Sequence, residues 1–98
     1  MAELTWTVEA ERWLRDIYDY IALDNPSAAA RTIETIYLKA EILRTFPESG
    51  YRYWQKPDRH IRILLHGHYR IAYLIKSSEA IDIIGVFHGA LDIDRYLL

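Results

Sequence analysis

The sequence predicts an α+β fold: a short N-terminal strand, an antiparallel helix hairpin, a four-stranded antiparallel meander packed against the helices, and a short C-terminal tail or helix. Two observations of spacing carry this expectation. Up to Phe46-Pro47 the apolar residues recur every three or four positions, as on one face of a helix. From Ser49-Gly50 onward they alternate, and β-branched and aromatic residues take over. Length supplies the third observation, since 98 residues suit one compact domain, residues 1–98, with one core.

Each element has its own signal. Leu4-Thr5-Trp6 reads as a brief opening strand. Thr7 can cap a helix that carries Glu9 and Glu11 near its N-terminus, where negative charge is favourable, and whose apolar face is Ala10, Trp13, Leu14, Ile17 and Ile21. Asn25-Pro26 marks a turn and a restart, because Asn caps well and Pro is tolerated in the first helical turn. The second stripe, Ala29, Ile33, Ile36, Tyr37, Ala40 and Leu43, runs until Phe46-Pro47, where the residue before proline avoids helical angles.

Four strands follow, at residues 51–55, 60–66, 69–75 and 81–88, separated by Lys56-Pro57-Asp58, a tight turn at Gly67, and Lys76-Ser77-Ser78-Glu79. Links this short require antiparallel neighbours. On the third of these strands Tyr69, Ile71, Tyr73 and Ile75 share one face, and Arg70, Ala72, Leu74 and Lys76 the other. One face is expected to meet the helices, leaving the other as the working surface. The tail, residues 91–98, carries Asp92 and Asp94 early, which suits a short helix or an extended segment.

Composition narrows the function classes. Half of the chain is apolar, enough for a small core without staples, and there is no cysteine for a disulfide or a thiolate metal site. The start, Met1-Ala2-Glu3-Leu4-Thr5-Trp6, lacks the features of a signal peptide, and no apolar run is long enough to span a bilayer. The expectation is a cytoplasmic protein with no membrane partner, no cofactor and no metal. The net charge of -2 hides an asymmetry: residues 1–49 carry five Lys/Arg against nine Asp/Glu, and residues 50–98 seven against five. Arg52, Lys56, Arg59, Arg62 and Arg70 are opposed locally only by Asp58, which suggests an anionic partner met on one face.

Several motifs together carry a family resemblance. They are Ala10-x-x-Trp13-Leu14-x-x-Ile17, Asn25-Pro26 followed by Ala28-Ala29-Ala30-Arg31, Leu43-x-x-Phe46-Pro47-x-x-Gly50, Tyr69-Arg70-Ile71-x-Tyr73, and Ile83-x-x-Val86-x-His88-Gly89-Ala90. In this combination the chain resembles the RelE/ParE superfamily of type II toxin–antitoxin (plasmid stabilization) systems from about residue 6 to its C-terminal end, and its ending is closer to the ParE-like branch. The resemblance implies a growth-arresting toxin neutralised by a cognate antitoxin that lays a helix or strand across it, within a higher-order toxin–antitoxin assembly. It also implies one of two targets: DNA gyrase for the ParE-like branch, or the ribosome and its mRNA for RelE-like endoribonucleases.

Cutting of the RelE type, as the resemblance implies, relies on strand cations, an Arg just after His-Gly-Ala, and a Tyr in the tail. Such groups transfer protons and stabilise the charge that develops on phosphate. Here Leu91 stands where that arginine would be, Ile61 and Ile63 replace paired lysines, and Tyr96 falls one residue short of the tail tyrosine. An enzymatic reading would therefore rest on Arg62, Arg70, His88 and Tyr96. The leading expectation is a toxin without covalent chemistry that binds gyrase through Arg52, Arg62, Arg70 and Arg95 and its antitoxin through Leu91, Tyr96, Leu97 and Leu98. A third reading is a degenerate toxin that serves only as an antitoxin-binding module.

Structural roles compete with each of these. Arg70 could pair across strands with Asp82, Arg52 and Arg62 could be solvated strand residues, and His88 could anchor the tail by a hydrogen bond. His60, His66 and His68 lack a carboxylate or thiolate partner at a metal-binding spacing. Tyr51, Tyr53, Trp54, Tyr69 and Tyr73 could stack on nucleotide bases, although alternating strand aromatics, as at Tyr69 and Tyr73, more often fill a core.

Overall fold

The computed structural model describes residues 1–97. The chain runs β1 (Glu3–Trp6), α1 (Val8–Ala22), α2 (Pro26–Ala40), a 3-10 turn (Glu41–Arg44), β2 (Tyr51–Arg52), β3 (Ile61–His66), β4 (Tyr69–Ser77), β5 (Ala80–His88) and a second 3-10 turn in the tail (Ile93–Arg95). The strands form one five-stranded sheet in the order β1-β5-β4-β3-β2. The expected antiparallel meander is present in β2 to β5, and β1 joins it in parallel beside β5, with Glu3 opposite Ala80 and Trp6 opposite Ile83.

Both helix caps form where the sequence places them. Thr7 Oγ1 accepts from the Ala10 amide at 3.2 Å and donates to the Ile83 carbonyl at 2.7 Å, so one hydroxyl starts α1 and fixes it to β5. Asn25 Oδ1 accepts from the Ala28 amide at 3.0 Å, with Pro26 opening α2. Tyr37 donates to the Glu11 carboxylate and its ring lies 4.5 Å from that of Trp6, which joins α2 to α1 and to β1. The second helix ends at Ala40, short of Phe46, and the chain tightens into a 3-10 turn that keeps Leu43 fully buried.

Two features of the strands differ from expectation for clear reasons. The strand expected at residues 51–55 pairs only at Tyr51 and Arg52, because the chain turns at Trp54, although the Tyr53 amide still donates to the Ile61 carbonyl at 2.8 Å. In β5 the alternation is broken by a bulge: Ala72 faces Gly85 while Tyr73 faces Ile83, so Ile84 has no partner. That extra residue lets Ile83 and Val86 both face the helices and turns Phe87 to the opposite side. Gly67, at φ 57°, supplies the left-handed conformation that the β3–β4 hairpin requires.

The far face of the sheet is not the open surface the sequence suggested. Leu4, Leu14, Ile36, Leu43, Ile71, Tyr73, Ile83 and Val86 pack beneath the helices, and Tyr53, Ile61, Ile63, Ala72 and Phe87 form a second cluster on the other side. The tail covers that second cluster with Ile93 and Leu97, the latter only 3% exposed. A sheet apolar on both faces must be shielded from water on both.

Tyr73 links the sheet to the loop before β2. It is fully buried, its hydroxyl donates to the Pro47 carbonyl at 2.6 Å, and it accepts from the Gly50 amide at 2.9 Å. Gly50 itself has no room for a side chain, since a Cβ would sit 2.6 Å from the Ile63 carbonyl oxygen. Tyr73→Phe leaves the Gly50 amide and the Pro47 carbonyl without this partner and should lower the unfolding free energy by about 1–3 kcal/mol. Urea titration followed by circular dichroism measures the loss; an unchanged midpoint at unchanged slope would refute the linkage.

Candidate functional site

The far face is held closed by a small set of polar contacts. Arg70, on β4, is half-buried; its Nη2 donates to the Leu91 carbonyl at 2.6 Å and lies 3.4 Å from the Gly89 carbonyl. Its Nε is buried with no partner among the described residues. Tyr53 donates to the Asp94 carboxylate, and burial together with that carboxylate pushes the Tyr53 hydroxyl up to about 12, so it stays a donor across the ordinary pH range. Tyr96 lies edge-on to Trp13 at 5.0 Å, and Trp13 is in turn 4.7 Å from Phe87. The tail is thus fastened by a guanidinium, a phenol and an aromatic cluster.

The cross-strand pair considered for Arg70 does not form. Register places Phe87 opposite Arg70 and Leu74 opposite Asp82, and the carboxylate of Asp82 lies 3.6 Å from Lys76 Nζ. The free main-chain carbonyls of the departing tail take the guanidinium instead.

A second basic cluster sits at the β2 edge, on the face that carries the helices. Arg52 and Arg62 are directly opposed in register, and Arg62 in turn faces Tyr73. Arg62 Nη1 donates to the Gly50 carbonyl at 2.6 Å, Nε donates to His60 Nε2 at 3.2 Å, and Glu48 lies 3.7 Å from Nη2. Its side chain is 18% exposed, so its main task is to brace the loop before β2. Arg52 reaches the Arg59 carbonyl at 3.3 Å and stacks over the Trp54 ring at 4.3 Å from its centroid. Burial, with the neighbouring charges of Arg52 and Arg62, holds His60 below the usual imidazole value.

At the other end of the sheet an open recess of about 430 Å³ is lined by His68, Tyr69, Arg70, His88 and Gly89. His88 Nδ1 accepts from the Ala90 amide at 3.2 Å, the anchoring role open to it from sequence, and its ring lies 6.2 Å from that of His68. Beside this recess runs an apolar groove of about 470 Å³ between α1 and the end of the sheet, lined by Ile17, Tyr20, Ile21, Tyr69, His88 and Leu91. His66, opposite Tyr69 in register, reaches α2 instead, with Nε2 3.2 Å from Thr35 Oγ1. Among the described residues no three His, Cys, Asp or Glu side chains gather to hold a metal.

The sequence-predicted residues therefore fall into separate places. Arg52, Arg62 and His88 belong to the helix-bearing face, and Arg70 to the opposite one, with Arg95 exposed on the tail. Of the four residues of the enzymatic reading, Arg70 and His88 meet at the recess of the sheet end, while Arg62 and Tyr96 lie elsewhere. Leu91 lines the groove, Tyr96 is half-exposed, Leu97 is core, and Leu98 lies outside the described residues. Sequence reasoning missed Tyr53, Trp13 and Phe87 as the seat of the tail. The apolar neighbours Ile63 and Leu64, buried on opposite faces, carry the signal that β3 is covered on both sides, although Leu65 beyond them is exposed.

Comparison with known proteins gives concordant results. A family model described as the ParE toxin of a type II toxin-antitoxin system, parDE, matches residues 4–93. The candidate toxin Y4kP of Sinorhizobium fredii is 35% identical over 86 residues, covering 88% of this chain and 86% of that protein. Among solved structures, one described as the chromosomal ParDE TA system from P. aeruginosa shares the fold, with a TM-score of 0.71 and 23% identity over 90% of this chain and 96% of that one.

Two outcomes follow from the geometry. Arg70→Gln should free the Leu91 carbonyl and loosen the tail, so that hydrogen exchange of the Arg95, Tyr96 and Leu97 amides quickens while amides of β4 and β5 away from residue 70 hold; equal protection would remove the clasp. For His60 the folded pKa is below its unfolded value of 6.5, so the unfolded chain binds the proton more readily and stability falls as pH drops below 6.5. Chemical denaturation between pH 7.5 and 5 should show that slope, and His60→Gln should flatten it.

Proposed function

Because this chain belongs to the ParE toxin family of type II toxin–antitoxin systems, we propose that it arrests growth by binding DNA gyrase and that a cognate antitoxin neutralises it. The observation that carries a binding role is that Arg62 and Tyr96 stand apart from the recess where Arg70 and His88 meet. In-line cleavage of RNA needs a base, an acid and cations around one phosphate. Here Arg62 braces a loop on one face, Arg70 is committed to tail carbonyls on the other, and Tyr96 rests on Trp13.

The target-binding surface in this reading is built from Arg52, Arg62, Arg70 and Arg95. Of these, Arg95 presents its charge outward, whereas Arg52, Arg62 and Arg70 order the backbone segments that surround them. The antitoxin lays an amphipathic helix along the groove between α1 and the sheet end, where Leu91 and Tyr20 offer apolar contacts. Tyr96 extends that surface, and Leu97 contributes by holding the tail in place. The reading entails a cytoplasmic site of action, a higher-order assembly with the antitoxin and a role in plasmid stabilization. No helix among the described residues is long and apolar enough to cross a membrane.

The purified protein should inhibit supercoiling by purified gyrase, and prior addition of the antitoxin should restore it. Full supercoiling at a large excess of this protein would overturn the proposal.

A further inference from the structure

The loop between β2 and β3 has features that neither the core nor the tail requires. Trp54 at its tip is 65% exposed, an unusual position for so large an apolar ring. The loop is also well fastened. The Tyr53 amide donates to the Ile61 carbonyl at 2.8 Å, the Arg59 amide to the Lys56 carbonyl at 3.0 Å, and the Ile61 amide to the Arg59 carbonyl at 2.9 Å. Arg52 adds a hydrogen bond to the Arg59 carbonyl and lays its guanidinium on the indole. A cation stacked on the ring restricts its rotation, so much of the ordering cost of an anchor residue is met before any partner arrives.

From this we infer that Trp54 is the anchor of a protein-docking surface, and that its partner presents an indole-sized apolar slot rimmed by carboxylates. Tryptophan and arginine are the residues that most often dominate binding energy when they enter a partner's pocket. The acidic rim follows from charge, because Arg52 and Lys56, two positions to either side of Trp54, meet no carboxylate between residues 51 and 57. A nucleic acid is the weaker fit. Arg52 directs Nη2 at the loop's own carbonyls, and the whole chain has a net charge of -2 and a pI near 6.0, opposite to the basic surface that phosphate binding demands.

The inference deepens the proposed function, since gyrase serves as the probe. Three variants decide it: Trp54→Ala, Lys56→Glu, and Leu38→Ser as a control that removes an equally exposed apolar residue from α2. Circular dichroism first establishes that each is folded. Trp54→Ala should weaken inhibition of supercoiling by about tenfold or more, Lys56→Glu should weaken it with a reduced salt dependence, and Leu38→Ser should leave it unchanged. Equal potency of Trp54→Ala and the parent protein overturns the docking surface and leaves gyrase as the target. If the parent protein leaves gyrase untouched, the proposed target fails, and the loop is judged by growth arrest on induced expression: arrest abolished by Trp54→Ala supports it, and equal arrest or none from the parent overturns it. Binding of a fluorescent single-stranded oligonucleotide that is lost in Trp54→Ala would make nucleic acid the occupant and refute the protein partner.

Discussion

The structure depends on a sheet that is apolar on both faces. Ile61, Ile63, Ala72 and Phe87 point away from the helices as consistently as Leu64, Ile71, Tyr73 and Val86 point toward them. Water must be kept from both sides, and a chain of 98 residues has only one helix hairpin to offer. The remaining cover is the tail. Its last described turns are consequently part of the core, and the polar contacts of Arg70 and Tyr53 exist to seat them.

The arginines that look like a single basic face in the sequence are mostly internal braces. Arg62 ties the loop before β2 to the sheet, Arg52 ties the loop after it, and Arg70 ties the tail. Guanidinium suits all three tasks because it spreads several donors in one plane and stays charged when partly buried. Main-chain carbonyls that leave the sheet need donors, and long cationic side chains from neighbouring strands supply them while keeping part of their charge in contact with water. Exposed charge lies instead on the helices, at Glu9, Arg12, Arg15, Asp16, Arg31 and Glu34, and on the tail at Asp92, Asp94 and Arg95.

Much of the fold was legible because its signals are local. Helical spacing, the Thr7 and Asn25 caps, the Gly67 turn and the alternation of β4 each depend on a few neighbouring residues, and each element stands where those residues place it. The parallel seat of β1 beside β5 depends on residues nearly eighty positions apart, and nothing near Leu4 announces it. The bulge at Ile84 was hidden because one unpaired residue reverses the facing of everything after it. The candidate site was less legible than the fold for the same reason. Alternation in β4 correctly separated Arg70 from Tyr73, but it could not reveal that carbonyls from the tail would arrive to meet the guanidinium.

Trp13 is the one helical side chain that reaches both clusters, touching Phe87 on the far side of the sheet and Tyr96 in the tail. The two coverings of the sheet are consequently not independent. Whatever shifts α1 at its middle alters the bed on which the tail rests, and whatever peels the tail away uncovers an indole that also packs against the helix-side core. Any coupling between ligands gripping these opposite sides would run through that ring, and it would change each affinity by the same factor.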